Sequence, residues 1–346
     1  MSNIIASFII PAYNASNTIV RCLDSIYKLS LNENEYEVIV IDDCSVDNTV
    51  EVVERYAKNR TNITLLRQPE NRRQGAARNR GVNIAKGKYI VYVDSDDESA
   101  EGVVDALQLA EKHNLDMVAM HFVNIDGHGN VMEKELIVIN GIFTGVELQT
   151  KHPYWGTAPW PYIYKTTFLK QVNYPFVEDV LYEDSDYVTV HLYHAERMMY
   201  IVQCAYRVHY NATSTTHTTT YKHVADYAFL GVRMLKFYRS LNDINSTYAK
   251  GILEGGSYNI WMSCKRLFKL PSIKDVNAFY NQLDSFTNRS ALVKYNWSSY
   301  YWTCWTKVCL KYKYIALSFV IVGQIGYKLK QIQPILNRRM KNLPKK

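Results

Sequence analysis

The sequence is short of the residues that mark non-globular classes. Its 346 residues include only 15 Gly and 9 Pro, too few for a fibrous repeat, and 47% hydrophobic against 21% charged residues excludes a disordered chain. The six cysteines (Cys22, Cys44, Cys204, Cys264, Cys304 and Cys309) form no Cys-x-x-Cys pair and no zinc-like spacing, so reduced thiols in a cytoplasmic protein are expected. No basic start followed by a long apolar run opens the chain; Ile4 to Ile10 has strand length, and a secretory leader is not expected. No internal repeat appears. No Gly-x-Gly-x-x-Gly follows the first apolar run, which counts against a dinucleotide oxidoreductase. Acidic residues are missing altogether from Lys294 to Lys346, a stretch that holds eleven Lys or Arg. With a formal charge of +7, the preceding residues carry 7 − 11 = −4, so the basic character belongs to the tail.

What is present reads first as alternating strands and helices. Ala6 to Ile10, Glu37 to Ile41, Ile63 to Leu66, Tyr89 to Val93 and Met117 to Phe122 are apolar, β-branched or aromatic runs of strand length. Between them, Ile19, Cys22, Leu23 and Ile26 recur at helical spacing after Asn17, a candidate N-cap. Asn48 and Glu51 predict a capping box ahead of Val53 and Ala57. Ala77, Gly81 and Ile84 predict a third helix, and Val103, Leu107 and Ala110 a fourth. This alternation implies an α/β fold with a parallel, doubly wound sheet. It stops near residue 125, where Asp126 to Asn130 is turn-rich and the stretch to Gly145 suggests a hairpin. A helical stretch follows from Asp184 to Ala195, and helical patterns return from Tyr221 to Phe286.

Ligands of such sheets bind beyond the carboxyl ends of the strands. The residues there are Pro11-Ala12-Tyr13-Asn14, Asp42-Asp43-Cys44-Ser45, Arg67-Gln68 and Asp94-Ser95-Asp96-Asp97. If strand geometry persists, Asp94 and Asp96 project to one side and form a hard oxygen site for Mg²⁺ or Mn²⁺, shared with substrate phosphates. A solvated acidic turn is the competing reading. Asp43 is placed to accept from a base N–H, the backbone of Pro11 to Tyr13 to line the base, and Tyr13 to offer a stacking face. Arg78, early in a helix, has a guanidinium that would face a diphosphate; a solvated helix face is its alternative.

Four segments in order then carry a resemblance: Ser7-Phe-Ile-Ile-Pro-Ala-Tyr-Asn14, Val38-Ile-Val-Ile-Asp-Asp-Cys-Ser45 with Asp47 and Thr49, Gly75-Ala-Ala-Arg-Asn-Arg-Gly81, and Gly87 to Asp97. Over roughly the first 100 residues the chain resembles family 2 glycosyltransferases of the kind that build bacterial surface polysaccharides. The resemblance implies a GT-A fold, in which a mixed, mostly parallel sheet has a Rossmann-like nucleotide-binding half. It also implies a nucleotide-sugar donor and transfer with inversion at the anomeric carbon. By the same resemblance Asp43 contacts the base, Asp94 lies near the ribose and metal, and Asp96 is the metal ligand; Ser95, between them, is counted with the donor-binding residues. Cys44 departs from the family, which usually has Gly there. Tyr182-Glu183-Asp184 matches a Glu-Asp pair whose Asp is the general base, so Asp184 takes that role and Glu183 positions the acceptor. Asp179 and Asp186 are competitors, and a helix N-terminal acidic cluster is the bland alternative. Trp160 and Tyr164 match a weaker aromatic pattern suited to a sugar ring or to core packing. His209, in Tyr206-Arg-Val-His209 ahead of Thr213-Ser-Thr215, is a further candidate metal ligand, with a packed or surface histidine as the alternative.

The expected organisation is a GT-A domain over residues 1–220, split into a nucleotide-sugar half (1–125) and an acceptor half (126–220), followed by a helical, basic and aromatic region over 221–346. Trp297, Tyr300, Tyr301, Trp302 and Trp305 interleave with Lys307, Lys311 and Lys313, a pattern suited to the cytoplasmic face of a membrane. The apolar run Tyr314 to Ile325 is well short of the about 20 residues that span a bilayer. Peripheral attachment would suit a saccharide or lipid-linked saccharide acceptor, and nucleic acid is not expected as a partner. The expected donor is UDP-linked and the expected cofactor a divalent metal. A nucleotidyltransferase and a non-catalytic nucleotide-binding module are the alternatives; the first lacks its Gly- and Arg-rich loop after strand one, and the second has no need of Glu183-Asp184.

Overall fold

A computed structural model describes residues 4–137, 139–152, 157–211, 220–267 and 273–287. The chain divides into two compact units, residues 1–214 and 215–346. In the first, β1 (Ala6–Ala12), β2 (Tyr36–Asp42), β3 (Ile63–Arg67) and β4 (Tyr89–Tyr92) alternate with α1 (Ile19–Tyr27), α2 (Thr49–Ala57) and α3 (Arg73–Ile84). There follow β5 (Glu98–Ser99), α4 (Gly102–His113), β6 (Met117–Ile125), β7 (Val131–Met132), α5 (Gly145–Lys151), β8 (Tyr162–Lys165), α6 (Thr166–Val172), α7 (Asp184–His194) and β9 (Met198–His209). All nine strands form one sheet in the order β3-β2-β1-β4-β8-β6-β9-β5, with β7 paired to β6.

Strands β1 to β4 are parallel; β1, β2 and β4 are buried on both faces, which their unbroken apolar runs require, whereas β3 lies at the sheet edge and is only partly covered. One face, from Phe8, Ile10, Val38, Val40 and Val91, packs against Ile19, Cys22, Leu23 and Ile26 of α1 and Val103, Ala106 and Leu107 of α4. The other face, from Ile9, Ile90 and Tyr92, packs against α6 and α7, while Ile39 and Ile41 meet Ala77 of α3. Helix α3 approaches closely because its motif supplies glycines: a Cβ at Gly81 would lie 2.5 Å from Ile9 Cγ2, and one at Gly75 2.5 Å from the Val177 carbonyl oxygen.

The sheet is not wholly parallel. Strand β8 runs antiparallel between β4 and β6, so the change of polarity falls beyond residue 125, after the strand-helix alternation of the sequence has ended. Strand β9 then returns parallel to β6, with register shifts around His121 that leave β9 with extra residues. The hairpin expected after residue 125 shrinks to the two-residue β7, with its turn closed by Asp126, which accepts from His128 and Asn130 backbone N–H groups. Local signals also shift: the N-cap of α1 is Thr18 rather than Asn17. Asn48 is the N-cap of α2, but its side chain makes no capping bond and the capping box does not form; the neighbouring Asp47 Oδ1 accepts from the Thr49 N–H at 3.0 Å. Ile84 is exposed at the end of α3 instead of joining its buried face.

The second unit contains α8 (Tyr221–Ser240), α9 (Thr247–Arg266) and α10 (Ile273–Phe286). Helices α8 and α9 cross at small residues; a Cβ on Gly231 would sit 2.9 Å from the Gly256 carbonyl oxygen. Among the described residues no helix is long and apolar enough to cross a membrane. The aromatic and basic stretch from Tyr295 onward, and Thr213 to Thr215, lie outside the described residues.

Candidate active site

The strand ends that the sequence singles out are stitched into one rim. After β1, the Asn14 side chain accepts from the Val46 N–H (2.9 Å) and the Asn14 N–H donates to Ser45 Oγ (2.9 Å). The Ala15 N–H donates to Thr49 Oγ1, and the Ser16 N–H to Asp47. Asn14 (φ 51°) and Cys44 (φ 63°) are both left-handed, so the chain reverses sharply after β1 and after β2. Tyr13 stands 50% exposed at this rim. Asp43 is buried: its Oδ1 accepts from Gln68 Nε2 (2.7 Å) and from the Arg72 N–H (2.8 Å). Burial raises its carboxyl above the usual range, partly offset by those two donors.

Asp94 to Asp97 are a hydrogen-bonded turn, closed by the Asp97 N–H to the Asp94 carbonyl at 3.0 Å. The strand geometry assumed for Asp94 and Asp96 therefore ends before them, and alternation does not fix where their side chains point. The two carboxylates have different partners. Asp94 Oδ1 pairs with Arg78 Nη2 at 2.7 Å, whereas Asp96 Oδ2 accepts from Asn211 Nδ2 at 2.8 Å. Arg21 donates to the Asp96 carbonyl. Asp97 is buried, and that burial, followed by the nearby charges of Asp94 and Asp96, pushes it up to about 8.

Arg78 corrects one expectation. It is the sixth residue of α3, only 2% exposed, and its guanidinium is neither solvated nor free to face a diphosphate. Its Nη1 reaches Glu183 Oε1 at 2.8 Å while Nη2 holds Asp94. Burial opposes its charge, but Asp94 and then Glu183 more than offset that, so it stays a cation. Removing one partner of such a buried ion pair typically costs roughly 3–5 kcal/mol. Arg78 thus ties the turn after β4 to the start of α7, 105 residues from it in sequence for Glu183.

Glu183 is buried at the N-cap of α7 and Asp184 is the first residue of that helix. Burial raises both carboxyls above the carboxylate range, and Arg78 pulls each the other way. Of the rival carboxylates, Asp179 is exposed and pairs with Arg72, while Asp186 is buried and accepts from Tyr174 Oη at 3.0 Å. The approach to α7 is backbone-constrained, with Asp179 at φ 61° and Tyr182 at φ 66°.

His209 has protein partners instead of a free ring edge at Nε2: that atom lies 2.6 Å from Glu98 Oε2, and the backbone N–H donates to Asp97 Oδ1. Among the described residues no group of three or more His, Cys, Asp or Glu is arranged to hold a metal ion. Asp94 and Asp96 fit only the type of site in which one or two carboxylates share a cation with substrate phosphates. Trp160 stacks on Tyr206 (4.5 Å between centroids, 9° between planes) and meets Phe122 edge-on, so it is engaged in packing. Tyr164 is buried against Tyr92 and Tyr187. His191 is packed in the same aromatic cluster, its Nδ1 against the Tyr187 carbonyl. Residues that sequence reasoning did not assign also shape the site: Arg21, Glu98, Tyr206 and Asn211. Each acts across more than 70 positions, so no local pattern marks it.

The Glycosyl transferase family 2 model matches residues 7–174. The chain is 28% identical over 257 residues to the glycosyltransferase YibD of Escherichia coli (strain K12), covering 71% of this chain and 73% of that one. It is 30% identical over 205 residues to the poly(ribitol-phosphate) beta-N-acetylglucosaminyltransferase TarS of Staphylococcus aureus (strain MW2), covering 58% of this chain but only 34% of TarS. The crystal structure of S. aureus TarS 1-349 in complex with UDP-GlcNAc superposes with a TM-score of 0.65 at 18% identity, over 94% of this chain and 92% of that one, a likeness of fold. That likeness gives the mixed sheet the GT-A architecture, and the family match sets aside the nucleotidyltransferase and non-catalytic alternatives. Residues 7–174 are a glycosyl transferase family 2 match, and the chain is a glycosyltransferase of GT-A fold.

Proposed function

We propose that this glycosyltransferase moves a sugar from a UDP-linked donor to a saccharide or lipid-linked saccharide acceptor, with inversion, in the synthesis of a cell-surface polymer. The observation that carries the reading is Arg78, whose two ion pairs hold a donor-side carboxylate, Asp94, and an acceptor-side carboxylate, Glu183, on one guanidinium. Donor and acceptor chemistry thereby meet at one point. The names of the relatives support the donor class and the surface-polymer setting.

In this reading Tyr13 stacks on the base, the Pro11–Asn14 backbone lines it, and Asp43 accepts its N–H. Asp94, Ser95 and Asp96 receive the ribose and diphosphate. Asp184 removes the proton of the acceptor hydroxyl; that oxygen forms the new bond to the anomeric carbon as the bond to the diphosphate breaks on the opposite face. Glu183, held by Arg78, orients the acceptor. Asp96 and Asp94 would hold a divalent cation, Mn²⁺ or Mg²⁺, which when bound neutralises charge on the departing diphosphate. The basic, aromatic tail would keep the enzyme at the cytoplasmic membrane face, near a lipid-linked acceptor.

Two substitutions test the division of labour. Asp184→Asn should abolish transfer yet bind donor nearly as tightly as the unsubstituted chain. Asp96→Ala should lose metal-dependent donor binding as well. Full transfer by Asp184→Asn would remove it from the role of base.

A further inference from the structure

The Asp94–Asp97 turn is gripped by β9. The Tyr206 hydroxyl accepts from the Asp94 N–H at 2.9 Å and donates to Asp97 Oδ2 at 3.0 Å. Three residues on, the His209 N–H donates to Asp97 Oδ1 at 2.8 Å; two further, Asn211 holds Asp96 Oδ2. The Tyr206 ring is fully buried and stacked flat on Trp160, which in turn meets Phe122. Packing alone would be served by phenylalanine. The hydroxyl earns its burial only through its two bonds, and both go to the turn. The Asp94 N–H lies two residues past the end of β4, beyond Val93, whose N–H is the last to reach β1, at the Ile9 carbonyl (3.0 Å).

We infer that Tyr206 is a positioning residue for the donor site: its phenol, clamped by Trp160, fixes the turn that presents Asp94 and Asp96 to the nucleotide diphosphate. This rests on the donor reading of that turn. Tyr206 touches no reacting atom; it removes conformations of the turn that cannot bind, so its loss weakens donor binding without destroying the sites of the molecules that remain folded.

The test is calorimetric titration of the full chain with UDP in MnCl₂. Tyr206→Phe, which keeps the ring, should raise the Kd at least tenfold while the stoichiometry per molecule stays that of the unsubstituted chain. A merely structural lesion lowers the stoichiometry and leaves the Kd of the folded fraction alone, and that pattern overturns the inference, as does an unchanged Kd. If Tyr206→Phe does not fold, Trp160→Leu keeps the hydroxyl but unclamps the ring. Its Kd should rise severalfold, and an unchanged Kd there is equally fatal. Asp96→Ala, run alongside, separates the two readings. Its loss of Mn²⁺-dependent binding with an unaffected Tyr206→Phe sinks the Tyr206 role alone; UDP binding indifferent to both Mn²⁺ and Asp96→Ala sinks the donor reading and this inference with it.

Discussion

At the scale of single residues, the site is a set of charges that burial makes expensive and geometry makes useful. Glu183 pairs with Arg78, whose charge also acts on Asp184, and burial holds both carboxyls above an exposed carboxylate's range of about 4. The base form of Asp184 is the ionised one, so a raised folded-state value moves the loss of activity upward in pH. Transfer should rise with pH along an acid limb whose midpoint lies well above 4, and the pH profile of kcat/KM at saturating Mn²⁺ checks it; a midpoint at or below 4 would contradict the buried environment. Cys44 supplies a second prediction. Its φ of 63° is a left-handed conformation that strains any side chain with a Cβ. Cys44→Gly should therefore stabilise the chain by roughly 0.5–1 kcal/mol, after the added unfolded-state freedom of Gly is counted. Denaturant midpoints with an unchanged slope are the measurement. The sequence made both residues visible, through the Glu-Asp pair and through a cysteine where the resembling family has glycine. It could not show that Arg78 is buried between two carboxylates, because its partners lie 16 and 105 positions away.

At the scale of elements, the first four strands and their helices were legible because each repeats a single period, apolar runs for doubly buried strands and a 3.6-residue stripe for the helices. Legibility fails at β8, a four-residue strand inside an aromatic stretch, and at the short α5 and α6, which bury little of their own surface. The α3 motif behaves differently, since its glycines encode contact distance rather than turn geometry. Gly81→Ala would gain helix propensity, yet its Cβ would lie 2.5 Å from Ile9 Cγ2 in a fully buried strand. The overpacking should win, with a net loss of roughly 1–3 kcal/mol. A double-mutant cycle with Ile9→Ala reads the cause: the Gly81→Ala penalty should shrink once Cγ2 is gone, and a penalty that persists in full would place its origin elsewhere.

At the scale of the whole molecule, charge is divided along the chain: residues before Lys294 carry a formal 7 − 11 = −4, and the remainder is purely basic. If that stretch holds the enzyme at an anionic bilayer, neutralising Lys307, Lys311 and Lys313 to Gln in the full chain should weaken binding to phosphatidylserine-containing vesicles about a hundredfold, at about 1 kcal/mol per lysine. Sedimentation with neutral and anionic vesicles makes the comparison, and equal binding to both lipids would remove the electrostatic attachment.

The sheet itself keeps a kind of parity. Strands β6 and β9 begin 81 positions apart, Met117 beside Met198, and end 84 apart, Ile125 beside His209. Strand β9 has therefore taken in 84 − 81 = 3 residues that β6 lacks. Three is odd, and in a structure that alternates sides with every residue an odd insertion exchanges the faces. Met198 and Tyr200 lie with the aromatic cluster over α7, whereas Tyr206 and Val208 emerge among the residues that cover α1 and α4. An even count would have turned the Tyr206 hydroxyl to the far side of the sheet from Trp160. The contact between β9 and the Asp94–Asp97 turn depends on the arithmetic of that irregularity as much as on the identity of any side chain.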